Sequence, residues 1–312
     1  MLLIEPHNDL LRSLLTERFN SSSQSTLDQI ASEFDLTNFH ISSISKTKIL
    51  VSISTKCWPD LVKYGVHDLM QREYPGLTTS PEHSYDYSIE IDLEKLPESQ
   101  DEREDLIRRV SLMKRNAFAA PFEQAFKIHD TLSKEYNPEN PPQSTPEVLT
   151  IHYREEESIF ITPSHDRVTV IFSTVFREET DRILGKIFLQ EFVDARRRQG
   201  MQQAPQVLYS RDPPLEIRDL PGLRVSEDIG YITFVLFPRH LTPQKRDDCT
   251  SKIQLFRDYF HYHIKCSKVY MHSRMRARVS QFLKVINRAR PENHEKGERR
   301  TASGRYMQGG RK

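Results

Sequence analysis

Histidine and cysteine crowd one stretch of this 312-residue chain: His261, His263, Cys266 and His272 are side chains of the types that ligate zinc. Only His263 and Cys266 stand three apart, the separation that shares a helix face. Zinc sites need three or four converging ligands, usually spaced as HExxH or paired CxxC, and neither pattern occurs here. These side chains are therefore read as parts of a packed or solvated helix. Acid/base chemistry has two candidate groups. Glu155, Glu156 and Glu157, in YREEESIF, lie where a hairpin turn is expected and should face solvent. Glu178, Glu179 and Asp181 suit the positive end of a helix. Neither group has a nucleophile in view. With only ten glycines the chain contains no GxGxxG, no GxxxxGK[ST] and no GxSxG, so phosphate-cradling loops and a nucleophile elbow have no candidate. No catalytic residue, cofactor site or metal ligand is assigned, and an enzyme is the weakest reading.

What remains is charge. From His261 to Arg290 there are eight basic residues, Lys265, Lys268, Arg274, Arg276, Arg278, Lys284, Arg288 and Arg290, and no Asp or Glu. Residues 292–312 add six basic and three acidic side chains, which leaves residues 1–260 at about −10 in a chain whose total is +1. Two readings stay open. The cations are solvated flanks of a buried stripe, or they meet an acidic partner, as the interleaved Tyr259, Tyr262 and Tyr270 and the lack of acids suggest. At about 100° per residue, Lys268 and Arg278 lie near the stripe's edges while Lys284 and Arg288 lie nearly opposite, so the charge wraps the helix. A nucleic-acid or anionic-lipid surface is the competing class, to which the terminal GRYMQGGRK could also belong. No recognition motif supports it beyond charge.

The element that must carry these residues is a helix from Thr242 to Arg290. Phe256, Phe260, Ile264, Ser267, Met271, Met275, Val279, Phe282, Ile286 and Ala289 follow at steps of three or four, and all but Ser267 are apolar. Thr242 suits an N-cap, Pro243 the first helical position, and Pro291 a stop. At about 1.5 Å per residue the helix would run roughly 70 Å. A domain of about 130 residues is only roughly 35 Å across. A continuous apolar stripe of that length exceeds what a soluble monomer exposes, so its cover is most simply a similar helix in another chain.

The rest of the chain reads as an α+β fold, two similar α/β domains in tandem. Each is expected to be an antiparallel sheet packed with helices. Leu2–Phe19 has helical spacing; ASEFDLTNFHISSI, ending at Ile44, KILVSIST from Lys48, and YDYSIEIDL from Tyr85 read as strands; Trp58–Tyr74 and Asp101–His129 read as helices, the latter to be bent or broken by Pro121. In the second half the strands are Val148–Tyr153, Ser158–Thr162, Arg167–Thr174, Gln206–Ser210 and Ile229–Phe237, with a helix over Glu178–Arg198. KILVSIST and RVTVIFST are alternating strands that end in Ser-Thr and hand over to a helix, which points to a duplicated unit. The boundaries are 1–130 and 147–290 for the domains, 131–146 for a proline-rich linker and 291–312 for a basic flexible tail. Hydrophobic residues make up 37% of the chain, enough for real cores. The start, MLLIEPHNDLL, does not read as a signal peptide, and no apolar run reaches membrane-spanning length. Three cysteines, Cys57, Cys249 and Cys266, fit a reducing compartment, cytoplasm or nucleus.

GYITFVLFPRH from Gly230, FRDYFHYHIKCSK from Phe256, HSRMRA from His272 and FLKVINRARP from Phe282 resemble the family of the 34-kilodalton subunit of the actin-related protein 2/3 complex. DRVTVIFSTVF from Asp166, APQVLYS from Ala204 and LMKRNAF from Leu112 are similar to the same family, and the resemblance covers nearly the whole chain. It implies a non-enzymatic scaffold whose long C-terminal helix packs antiparallel against that of subunit 4, in the core of a complex that nucleates branched actin from the side of a mother filament. ATP would belong to the two actin-related subunits, and the chain would reside in the cytoplasm, in cortical actin patches. Phe256, Phe260, Ile264, Met271, Met275, Val279, Phe282 and Ile286 would then meet subunit 4, and the eight cations from Lys265 to Arg290 would meet acidic actin.

Overall fold

The two matched strands KILVSIST and RVTVIFST each become the middle strand of a five-stranded antiparallel sheet. The computed structural model describes residues 4–20, 26–33, 35–139, 147–197 and 204–289. The first half runs α1 (Asp9–Asn20), β1 (Asp28–Ser32), β2 (Asn38–Ser43), β3 (Lys48–Ser54), α2 (Trp58–Lys63), α3 (Val66–Glu73), β4 (Thr78–Thr79), β5 (Tyr87–Asp92), α4 (Gln100–Ser111), α5 (Met113–Ala117) and α6 (Ala120–Glu135). The second runs β6 (Leu149–Ile151), β7 (Ile159–Pro163), β8 (Val168–Val175), α7 (Glu179–Arg196), β9 (Gln206–Ser210), β10 (Ile229–Leu236) and α8 (Pro243–Ala289). Strand order is β1-β2-β3-β5-β4 in one sheet and β6-β7-β8-β10-β9 in the other, the same plan used twice. Among the described residues the second half has no counterpart of α1.

Alternation explains the first sheet. Ile49, Val51 and Ile53 of β3 and Ile89 and Ile91 of β5 are buried on one face, with the register Ile49↔Ile91 and Val51↔Ile89. On the other face Ser88 donates to Ser52 at 2.8 Å. In β8 all residues from Val168 to Thr174 are buried, because both faces are covered. Phe172 packs at ring-centroid distances of 6.0 Å from Phe234 and 5.9 Å from Phe256, while Ile171 joins Ile217, Ile229 and Tyr231 on the opposite face.

Several boundaries moved for physical reasons. Gly65, at φ 82°, splits Trp58–Tyr74 into α2 and α3. The helix expected over Asp101–His129 is three helices, and Pro121 sits in the first turn of the last, where its missing N–H costs nothing. α6 continues to Glu135, so the first residues of the expected linker, 131–135, are helical; residues 140–146 lie outside the described ones. α8 starts as expected, with the Thr242 carbonyl accepting from the amides of Lys245 and Arg246 at 2.8 and 3.1 Å.

Apolar side chains of both halves belong to one continuous cluster that runs from Leu11 to Ile264. The seam between the halves is also polar: the Tyr64 hydroxyl accepts from the Thr150 amide at 2.7 Å, and Asp60 accepts from the backbone and ring nitrogens of His152 at 2.9 and 2.8 Å. By compactness the chain divides after Ile264, which assigns the first part of α8 to the body and the stretch from Lys265 to a second unit.

Gly185 shows how tightly the body grips α8. A Cβ there would lie 2.8 Å from Cζ of Phe260 and 3.1 Å from Cε1 of Phe176. Alanine would add up to about 1 kcal/mol of helix propensity, but overpacking costs about 1–3 kcal/mol. Gly185→Ala is therefore expected to lower the thermal midpoint of the purified protein. A raised midpoint would mean that the Phe260 ring moves aside freely.

Candidate interface on the C-terminal helix

Two different surfaces of α8 are hidden in one apolar periodicity. Phe256, Phe260 and Ile264 are buried in the chain's own core, together with Ile253. Phe256 meets Phe234 edge-on at 4.6 Å, and Phe260 lies 5.8 Å from Phe176 and 5.7 Å from Phe188. These three stripe residues, expected at a partner interface, instead root the helix in its own body. Spacing shows that a face is apolar; it does not say whether the same chain or another covers it.

Beyond Ile264 the stripe is open. Met271 is 53% exposed, Met275 61%, Val279 57%, Phe282 64% and Ile286 40%. Val269, Leu283 and Val285 are exposed too, three large apolar side chains that the stripe's spacing leaves out. Lys265, Arg274, Arg276, Arg278, Lys284 and Arg288 are exposed and Lys268 is half-buried; Arg290 lies outside the described residues. Arg274 donates to the Tyr270 hydroxyl at 2.6 Å, with its guanidinium 5.5 Å from the ring centroid. That contact joins one of the interleaved tyrosines to the basic run.

Two of the four residues first considered for metal chemistry are occupied otherwise. His261 stacks on Phe176 at 6.3 Å, and His263 on Phe188 at 5.1 Å. Cys266 is an exposed free thiol. Among the described residues no group of three or more His, Cys, Asp or Glu side chains is placed to hold a metal ion, and no helix is long and apolar enough to cross a membrane.

One acidic group departs from expectation. Glu155 is exposed and Glu156 reaches Arg224 at 2.7 Å, but Glu157 does not face solvent. It is 4% exposed and pairs with Arg257 of α8 at 2.8 Å; it also accepts from the Val175 amide at 3.0 Å and the Tyr153 hydroxyl at 3.3 Å. A buried carboxylate needs such partners, and a run of three glutamates in sequence gives no sign of which one turns inward. The next residue on α8, Asp258, lies in a second set of charges, where Lys114 of α5 pairs with Asp35 at 2.7 Å and with Glu33. Burial pushes the Asp258 carboxyl up, and the Asp35 carboxylate adds to this against the pull of Lys114 and Arg257. Burial opposes the charge on Lys114, yet Asp35 and Glu33 hold its ammonium well above the ordinary lysine range. Two adjacent residues of α8 thus engage charges from both halves of the body.

The model of one protein family, the Arp2/3 complex 34 kD subunit p34-Arc, matches residues 51–293, from within β3 past the end of α8. The chain belongs to the p34-Arc family. A protein of Schizosaccharomyces pombe named actin-related protein 2/3 complex subunit 2 is 53% identical over 316 residues, 98% of each chain. A Dictyostelium discoideum protein of the same name is 37% identical over 296 residues, 94% of each chain. The p34-Arc match takes in the last part of β3, the whole of β8 and all of α8. The expected resemblance therefore holds at the level of the family.

Proposed function

We propose that the chain is a non-catalytic structural core subunit of the actin-related protein 2/3 complex, which pairs through α8 with subunit 4 and binds the side of the mother actin filament during nucleation of branched actin. The observation that carries the reading is the open row Met271, Met275, Val279, Phe282 and Ile286 on a helix segment without a single acid. Each such side chain left in water forgoes roughly 1.5–3 kcal/mol, so the row calls for a covering partner. The names of both relatives supply the assembly in which that partner is sought. Phe256, Phe260 and Ile264 drop out of the partner face, since the body already covers them.

On this reading Lys265, Lys268, Arg274, Arg276, Arg278, Lys284, Arg288 and Arg290 are the candidate contacts to acidic actin. The two halves, 1–130 and 147–290, act as two domains joined by 131–146. The chain needs no cofactor and works in the cytoplasm, in cortical actin patches. Reversing Arg274, Arg276 and Lys284 to Glu should leave assembly intact, with the actin-related subunits still recovered through a tag on this chain, and should weaken side-binding to filaments. Exposed charges steer and orient docking, and their effect shrinks as salt shortens the Debye length, roughly 8 Å at physiological ionic strength. Co-sedimentation of parent and mutant complexes with filaments across a salt series tests this. Equal affinities at low salt would place the filament contact elsewhere.

A further inference from the structure

His40 lies midway along β2, on the face of the first sheet opposite Ile49, Val51 and Ile53. Both of its ring nitrogens meet carboxylates. Nε2 is 2.9 Å from Asp28 of β1, and Nδ1 is 2.8 and 2.9 Å from the two oxygens of Glu82, in the segment between β4 and β5. An ionised carboxylate only accepts, and a neutral imidazole carries a single N–H, so the two contacts together need the doubly protonated ring. Burial works against that charge, but the bonds to Asp28 and Glu82 outweigh it and hold His40 above the ordinary histidine value of 6.5. Ile30 and Ser52, its cross-strand neighbours on β1 and β3, bring no charge; nor, near neutrality, does Tyr85, which stacks on the ring at 5.7 Å and whose hydroxyl burial pushes up. His83, beside Glu82 in the chain, is exposed and bonded to Ser84 instead.

We propose that His40 is a proton-operated link between β1 and residues 80–86, closed while the ring carries both protons and opened on the Asp28 side when it loses one. Asp28 lets go because its side chain is 83% exposed and returns to water at little cost, whereas that of Glu82 is 26% exposed. The neutral ring keeps one N–H for Glu82 but no longer attracts it as an opposite charge. That attraction holds a strained segment, for Ser84 sits at φ 70°, in the left-handed region that a residue with a side chain occupies at a cost. The Glu82 amide donates to Ser88 at 3.0 Å, and Ser88 in turn donates to Ser52; both hydroxyls are buried and gain access to water if residues 80–86 lift. β1 itself stays paired with β2, since the preceding Leu27 is buried and its carbonyl accepts from the Ser43 amide at 2.8 Å. The sign follows from the direction of the shift. A group that binds its proton more tightly in the folded chain contributes full stability below about pH 6.5 and loses it as pH rises through the higher folded value, across neutrality.

The parent full-length chain, His40→Gln and Asp28→Asn are compared by thermal melts at about pH 6 and about pH 8, which bracket the titration. Deuterium uptake of peptides covering residues 80–86, corrected for the intrinsic pH dependence of exchange, reports on the segment itself. The parent's advantage in thermal midpoint over His40→Gln should shrink between the two conditions, by about 3–5 °C for each tenfold by which folding favours the proton. Uptake at 80–86 should rise several-fold in the parent and stand high at both values in His40→Gln. All other histidines are common to the variants, so their titration cancels. Asp28→Asn alters an exposed side chain and leaves the fold intact, so it decides the matter even if His40→Gln does not fold; its pH dependence should be clearly smaller than the parent's. Equal pH dependence in the parent and in Asp28→Asn, or uptake at 80–86 that does not change with pH in the parent, would overturn the proposal.

Discussion

If α8 pairs with subunit 4 as proposed, Phe282→Asp should abolish recovery of that subunit while leaving the body of the chain folded. The residue is 64% exposed in the chain by itself, so a carboxylate there stays hydrated and the sheets lose nothing. On the proposed pairing the same carboxylate would be shut away from water against an apolar partner face, a situation that costs several kcal/mol. A loss of about 4 kcal/mol is roughly a thousandfold in affinity, enough to empty a pull-down at ordinary concentrations. Phe260→Asp provides the contrast. Phe260 occupies the same apolar periodicity but is 0% exposed in the core, so its substitution should unfold the body. Circular dichroism of the two variants beside a pull-down on tagged subunit 4 separates the outcomes. Undiminished recovery of subunit 4 by a folded Phe282→Asp chain would show that this row is not the interface.

That contrast also marks how far the sequence could be read. KILVSIST and RVTVIFST revealed both middle strands and the duplication: in the first, burial of one sheet face imposes a period of two on the side chains, and the second, covered on both faces, stands out as a run of strand-forming residues. The start of α8 was legible for a similar reason, since Thr242 and Pro243 act within one turn of chain. The division of its stripe at Ile264 was not legible. Which partner covers an apolar face depends on tertiary packing by Phe176, Phe188 and Phe234, far away in sequence. Nothing in the sequence singles out Gly185 within α7, and only the Phe260 ring beside it gives its reason. Glu157 was hardest of all. Its neighbours Glu155 and Glu156 have the same chemistry, and only a guanidinium one hundred positions away tells them apart.

Glu157→Ala should accordingly be among the most destabilising single changes in the body. Removing the carboxylate leaves Arg257 buried with Asp258 at 3.7 Å as its remaining ion-pair neighbour, and strips the Val175 amide of its acceptor. Breaking one side of a buried pair costs about 3–5 kcal/mol, most of it the penalty on the stranded charge. For a body of this size such a loss lowers the thermal midpoint by on the order of 10 °C. Glu157→Gln keeps an acceptor for the amide and should lose less. Pairing Glu157→Ala with Arg257→Met removes the stranded charge as well, so the double variant should melt above the single one, the non-additivity expected of residues in contact. Glu156→Ala, whose partner Arg224 is exposed, should hardly shift the melt because water screens that pair. Thermal melts of the four variants decide the matter: if Glu157→Ala unfolds with Glu156→Ala, or if Arg257→Met fails to rescue it, the buried pair is not what anchors α8 to the second half.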